Sequence, residues 1–188
     1  MATNSSSSFT GKLLINGGIT TLVDSGAFTG LTTGNSSTID INYATFNISN
    51  QGLFDSTDRL GNAPITLRGG TLAFLGRVQA ASTEAVGAVS IAQGASTITS
   101  SQGGTGVNSS DLTLAGLSRS AGATVNFTAA TAANLGQLGS GSRTLISSGV
   151  ANNAVLGAWA IANSGDYATY NTTLGVGGVG AIGFRSYD

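Results

Sequence analysis

The stretch "ITLRGGTLAFLG", Ile65 to Gly76, places two short alternating apolar runs on either side of a bare glycine pair. Alternation with a period of two is the pattern of a half-buried strand, and glycine turns a backbone through positive φ at no steric cost. The same arrangement stands upstream in "LLINGGITTL", Leu13 to Leu22, where Gly17-Gly18 follow Ile15 as Gly69-Gly70 follow Leu67. Gly94 stands near the matching place after Ile91. Two strands joined by a sharp corner therefore recur, and the recurrence has a period.

The apolar doublets Leu13/Ile15, Ile39/Ile41, Ile65/Leu67, Val89/Ile91 and Leu112/Leu114 follow one another at nearly even steps, the last two slightly shorter than the first two. A second series, Ile48, Leu72/Phe74, Ile98, Val125/Phe127 and Trp159/Ile161, follows the first across the corner. A unit of about 25 residues is too small to close a core of its own, so stacked neighbours must bury one another's side chains. This predicts an all-β chain wound as a parallel β-helix (β-solenoid), with Ile41, Leu67, Ile91 and Leu114 on one inward ladder. At a strand spacing of about 4.8 Å, about seven coils would form a rod of roughly 30 to 35 Å. The competing architecture is a sandwich or barrel of antiparallel strands. It explains neither the period nor the lack of Asn-Gly and Asp-Gly hairpin turns between the runs.

Charged residues make up 8% of the 188, and Gly, Ser, Thr, Ala and Asn supply most of the surface. Seven basic against eight acidic side chains leave a net charge of −1. Counterion release then has little to act on, which argues against nucleic acid or an anionic membrane as a partner. The sequence has neither cysteine nor histidine, which excludes disulfides, thiolate zinc sites and imidazole catalysis. No apolar run is long enough to span a bilayer as a helix. Met1 to Phe9, "MATNSSSSF", has no secretion-signal pattern, so export would need a leader outside this sequence.

The stretches "LGNAPITLRGGTLAFLG" (Leu60 to Gly76) and "LSRSAGATVNFTA" (Leu117 to Ala129) resemble the autotransporter-associated β-strand repeats of very large bacterial surface proteins. "LGAWAIANSGDYATYNTTLGV" (Leu156 to Val176) is similar to a Gly-Trp-Ala and Asp-Phe-Ala-Thr-Tyr segment of the same proteins. The resemblance covers most of the chain from Leu13 to Val176. It implies a right-handed parallel β-helix passenger exported to the bacterial cell surface, and it offers no catalytic motif to carry over. No membrane barrel follows Asp188, so the expectation is a piece of a passenger.

Catalysis on a β-helix usually rests on clustered carboxylates, and here the acids are spread thinly. Asp55 and Asp58 share a segment with Arg59, which reads as a solvated loop with a local ion pair. Asp40 and Arg68, a little more than one repeat apart, read as a structural rung pair. "GVGGVGAIGF", Gly175 to Phe184, has glycine spacing that superficially suggests phosphate binding. It lacks the strand-turn-helix context and reads as an end strand. No calcium-binding Gly-Gly-x-Gly-x-Asp repeat occurs. The expectation is therefore no catalytic, cofactor-binding or metal-binding residue, and no cofactor.

Two surface roles are left for the residues near the C-terminus. Trp159, Tyr167 and Tyr170 gather there and are candidate glycan contacts, with core filling as the plainer reading. Leu174, Val176, Val179, Ile182 and Phe184 lie in an apolar, charge-free run that reads as a self-assembly edge pairing head to tail with another copy or with adjacent repeats of a longer chain. Segment Ser5 to Ile15 would be its counterpart. The organisation expected is a flexible or exchanged N-terminal segment (1–12), a solenoid (13–174) and a C-terminal edge strand or tail (175–188). The function expected is an extracellular structural protein of a bacterial cell surface, a rigid rod or filament-forming subunit acting in surface architecture or adhesion. A carbohydrate-binding adhesin module ranks second, and a polysaccharide lyase or hydrolase third.

Overall fold

Lys12–Asn16 (β1) and Ile19–Leu22 (β2) are the first two strands, Thr38–Asn42 (β3) and Thr45–Ser49 (β4) the next two, and Ile65–Arg68 (β5) and Thr71–Leu75 (β6) the pair after them. In this computed structural model, which describes residues 11–28, 37–104 and 108–187, they stack in parallel, each directly over its counterpart in the preceding coil. The chain is all β, with no α-helix among the described residues. Its parallel sheets form a β-solenoid of about four turns, shorter than the seven coils the doublet count suggests.

A third side enters at Ala81–Val86 (β7). After it come Val89–Gln93 (β8), Ala95–Ser101 (β9), Ser109–Leu114 (β10), Leu117–Arg119 (β11), Thr124–Thr128 (β12), Ser142–Ile146 (β13), Ala154–Val155 (β14) and Ala160–Ala162 (β15). Strands β1, β3, β5, β8 and β11 make the first sheet; β2, β4, β6, β9, β12 and β15 run in order along the second; β7, β10 and β13 make the third. The early coils are thus two-sheeted and the later ones three-sheeted. The coil in which the third sheet grows in, Ile65 to Val89, is slightly shorter than the Leu13 to Ile39 step, and the later steps are wider, Val89 pairing with Leu117 and Ser110 with Ser142.

That growth corrects one ladder. Ile15, Ile41, Leu67 and Ile91 do stack in register on the first sheet, all buried. Leu114 does not join them; it lies on the third sheet between Val86 and Ile146. The shorter step to Leu112/Leu114 is therefore not a full coil but the distance from the first sheet, past the second, to the third. Most of the second series stacks on the second sheet, Ile48 on Phe74, and Leu72 on Ile98, which stacks on Phe127 in turn. Its last doublet does not: Ala160 and Ala162, rather than Trp159 and Ile161, take the inward positions over Val125 and Phe127.

The glycine pair has two separate causes. Register aligns Gly17, Tyr43 and Gly69 at the first corner, and a bulge between Leu67 and Arg68 brings Gly94 to the same place. All four have positive φ, at 70°, 46°, 68° and 67°. The ring of Tyr43 lies against Gly69, where a Cβ would come within 2.7 Å of its Cε1. Gly70 is needed for space instead, since a Cβ there would meet the Ile41 carbonyl oxygen at 2.8 Å.

Parallel stacking ends at Ala162. Asn163 and Ser164, both with positive φ, turn the chain into Asp166–Asn171 (β16), which runs antiparallel to β15 and β14. Gly175–Gly178 (β17) then pairs antiparallel with β16. Hairpins therefore close this end, although the alternating runs lack Asn-Gly or Asp-Gly signals; the Asn-Ser-Gly at 163–165 does the turning.

Placing a charge on the inner ladder should be severe. Leu67→Asp is expected to cost about 4 kcal/mol or more, because it buries an unpaired carboxylate, whereas Ser90→Asp on the outer face of the neighbouring strand, between Thr66 and Ser118, should shift a urea denaturation midpoint little.

Candidate functional site

The third sheet starts at β7, so the coils before it have no strand on this side among the described residues. Arg59 fills the place. Its side chain is fully buried, at 0% exposure. Nη1 donates to the carbonyls of Asp24 and Gly26, both at 2.7 Å; Nη2 donates to the carbonyl of Phe54 at 3.1 Å; and Nε donates to Asn50 Oδ1 at 3.0 Å. Four of the five guanidinium hydrogens are thus used on loop acceptors that no strand pairs. Asn50, itself buried, donates to Asp55 Oδ1 and to the Ser56 carbonyl, and Asp55 Oδ2 accepts from Ser82 Oγ. The expected solvated loop is overturned for Arg59, which is buried, while Asp55 and Asp58 are both exposed, Asp55 being anchored there by Asn50 and Ser82.

Glu84 completes this joint. Alternation along β7 turns Ser82, Glu84 and Val86 inward. Glu84 Oε1 accepts the Arg59 backbone N–H at 2.8 Å, and Oε2 is buried without a partner among the described residues. Burial, aided by the charge of Asp58, pushes its pKa up from 4.5 to about 7. Burial also pulls the Arg59 pKa below its ordinary value. Sequence reading missed the joint, although one signal was present: if Val86 faces the core, Glu84 two residues earlier must do so too.

The other described acids are held by simpler contacts. Asp40 sits diagonally between Lys12, with Nζ at 2.6 Å, and Arg68, with Nε at 3.8 Å. The rung pair with Arg68 is therefore present, reinforced by a lysine. Asp111 accepts a two-pronged contact from Arg143, through Nε at 2.8 Å and Nη2. Asp166 Oδ1 accepts from the Tyr187 hydroxyl.

At the C-terminal end the predicted edge residues have different fates. Val176, on β17, and Val179 are buried, with Val176 paired to Tyr170 of β16. Leu174 is half-buried, and Phe184 is half-buried over Gly177 and Gly136. Ile182 projects, 89% exposed. The glycine-rich run is thus a paired strand and its return, not a phosphate loop. In the N-terminal counterpart, residues 1–10 lie outside the described residues; β1 and β2 each have a described partner on one side only, and Leu14 and Ile19 are exposed there.

The three aromatic candidates are not one surface. Tyr170 is buried; its hydroxyl donates to the Ile146 carbonyl at 2.7 Å and accepts the Ile146 N–H at 3.1 Å, so it closes the end of the third sheet. Tyr167 is half exposed and pairs with Ile161. Trp159 is half-buried on the outer face, with the Arg119 guanidinium carbon 5.5 Å from its ring centroid. Fold and geometry define the protein as a capped β-solenoid. Comparison with protein families, with curated proteins and with solved structures finds no match to this chain.

Arg59→Ala should cost about 3–5 kcal/mol, since it strands buried carbonyls and leaves Glu84 uncompensated; thermal melts of the variant and wild type check this. The Glu84 contribution has a defined sign. Its folded pKa lies above the unfolded value, so the stabilisation is full below about pH 4.5 and is lost as pH rises to about 7, by roughly 3 kcal/mol in all. Glu84→Gln should flatten that part of the stability profile measured by urea denaturation between pH 4 and 8.

Proposed function

We propose that this chain is a structural β-solenoid of a bacterial cell surface, of the kind that the autotransporter-associated strand repeats resemble, acting as a rigid unit of surface architecture. The observation that carries the reading is how the charged groups are used. Arg59, Glu84 and Asp55 seal the passage from two-sheeted to three-sheeted coils. Asp40 and Asp111 fasten neighbouring strands. A side chain whose donors are already satisfied by backbone carbonyls has little left to offer a substrate.

The outward rungs fit the same role. Asn42 Nδ2 donates to Asn16 Oδ1 at 2.7 Å, one coil away. Thr99 and Thr128 share a hydroxyl contact of 2.6 Å. Such hydroxyl and amide rungs stiffen the stack with little charge, which suits a surface exposed to changing salt.

The partner proposed for the open end is a strand of another solenoid unit, added along β1 and β2. An edge carrying exposed Leu14 and Ile19, with no strand partner on that side among the described residues, favours strand addition. Antibody labelling of intact cells of the source organism should find the chain outside, and labelling only after permeabilisation would refute the surface role. Sedimentation of the purified chain should show concentration-dependent association that Leu14→Lys with Ile19→Lys abolishes and Ile182→Lys leaves unchanged. A wild-type chain that stays monomeric at millimolar concentration would remove the strand-addition proposal.

A further inference from the structure

Trp159 is the one tryptophan of the sequence. Alternation along β15 buries Ala160 and Ala162 and turns Trp159 and Ile161 outward. The pairing of Val125 with Ala160 sets Trp159 beside Thr124, and Thr124 pairs in turn with Ala95. Between these strands runs an outer groove of about 360 Å³, lined among others by Thr97, Thr124, Asn126, Trp159 and Ile161, with no acidic residue in its wall. The size is that of a small-ligand site. A second hollow of about 190 Å³, bordered by Leu117, Val150 and Leu156, adjoins the same indole. Trp159 therefore stands as a partition with open space on two sides.

The polar groups around the groove are held ready rather than consumed. Asn126 is fixed by Ser164, donating to its Oγ at 2.7 Å and accepting its N–H at 3.0 Å, which leaves one amide hydrogen unused. The hydroxyls of Thr97 and Thr124 make no hydrogen bond within the described residues. Arg119 differs from Arg59 in the same way. It is exposed, it is placed by the face of Trp159, and its guanidinium has no hydrogen bond or ion pair among the described residues. An unpaired guanidinium fork beside a flat aromatic ring is matched by a carboxylate attached to a ring with an apolar face.

We infer that the groove at Trp159 binds an acidic saccharide, with a sugar ring in the groove against the indole, its hydroxyls on Thr97, Thr124 and Asn126, and the carboxylate of that ring or of its neighbour in the chain on Arg119, which lies over the indole outside the groove lining. A neutral sugar would use the ring and the hydroxyls but leave Arg119 unpaired. The site does not depend on where the solenoid is displayed, and its failure would leave the architectural role untouched.

Because the chain has one tryptophan, its emission reports on the surroundings of this one side chain. The full chain is titrated at low salt with trigalacturonate, with its methyl ester and with sialyllactose. A saturable change in emission is expected with at least one of the two free acids. Trigalacturonate, if it is that acid, should bind about tenfold or more tightly than its ester. Arg119→Gln should weaken binding of the free acid by a similar factor while the melting temperature changes little, because the residue is exposed and its only side-chain contact among the described residues is the one with the Trp159 ring. Trp159→Phe, followed by calorimetry, should weaken the acid and the ester alike. Absence of a saturable response to both acids at millimolar concentration would overturn the proposal, and so would an Arg119→Gln variant that binds as the wild type does or an ester that binds as tightly as the acid.

Discussion

In a coil of about 25 residues an apolar side chain finds its main contact not in its own coil but in the next one. Ile41 rests between Ile15 and Leu67, and Leu72 between Phe46 and Ile98. Each layer is stable only while its neighbours keep register, so the corner geometry matters as much as the core. A slip of one residue would turn every inward side chain outward. The left-handed corner shared by Gly17, Tyr43, Gly69 and Gly94 holds that register, and the bulge at Leu67 and Arg68 absorbs the shorter step from Ile65 to Val89.

The change from two sheets to three sets a second problem, because the first strand of the new sheet has no strand beneath it among the described residues. Arg59 solves it with a planar group that reaches three backbone carbonyls and one side-chain amide at once, which no single apolar residue could satisfy. The cost is a desolvated cation, offset by Glu84 and Asp55 nearby. Buried ions of this kind tie distant segments together: Asp24, Phe54 and Glu84 lie far apart in the chain and meet only here.

The first two sheets were legible because their signals are periodic. The doublets at Leu13, Ile39 and Ile65 repeat at the coil length, and a strand with one buried face must alternate. The third sheet was not legible as a separate series, because Leu112 and Leu114 look like any other doublet and sequence spacing does not say which side of a coil a strand occupies. Arg59 escaped for a different reason. Arginine next to two aspartates has the composition of a solvated loop, and only the spatial vacancy it fills makes it internal. Tyr170 and Trp159 share a composition and a neighbourhood, yet one bonds inward to Ile146 and the other stands outside. That choice is set by the antiparallel turn at Asn163 and Ser164, whose signal is only three residues long.

The same turn bears on the order in which the molecule can assemble. Contacts along the coils join residues a whole coil of sequence apart, as Ile65 meets Val89, whereas Ile161 meets the nearby Tyr167 and Ala168 meets Gly178 across a short turn. Each doubling of a loop adds about 0.6 kcal/mol to the entropy of closing it, so the hairpins are the least costly structure in the chain to form. They hold β14 to β17 as a small antiparallel sheet with β15 already presented as a parallel-pairing edge. Coils can then add to that edge one after another toward the N-terminus, each using the layer before it as a template. A feature that closes one end of the finished solenoid is thereby the natural place for its growth to begin.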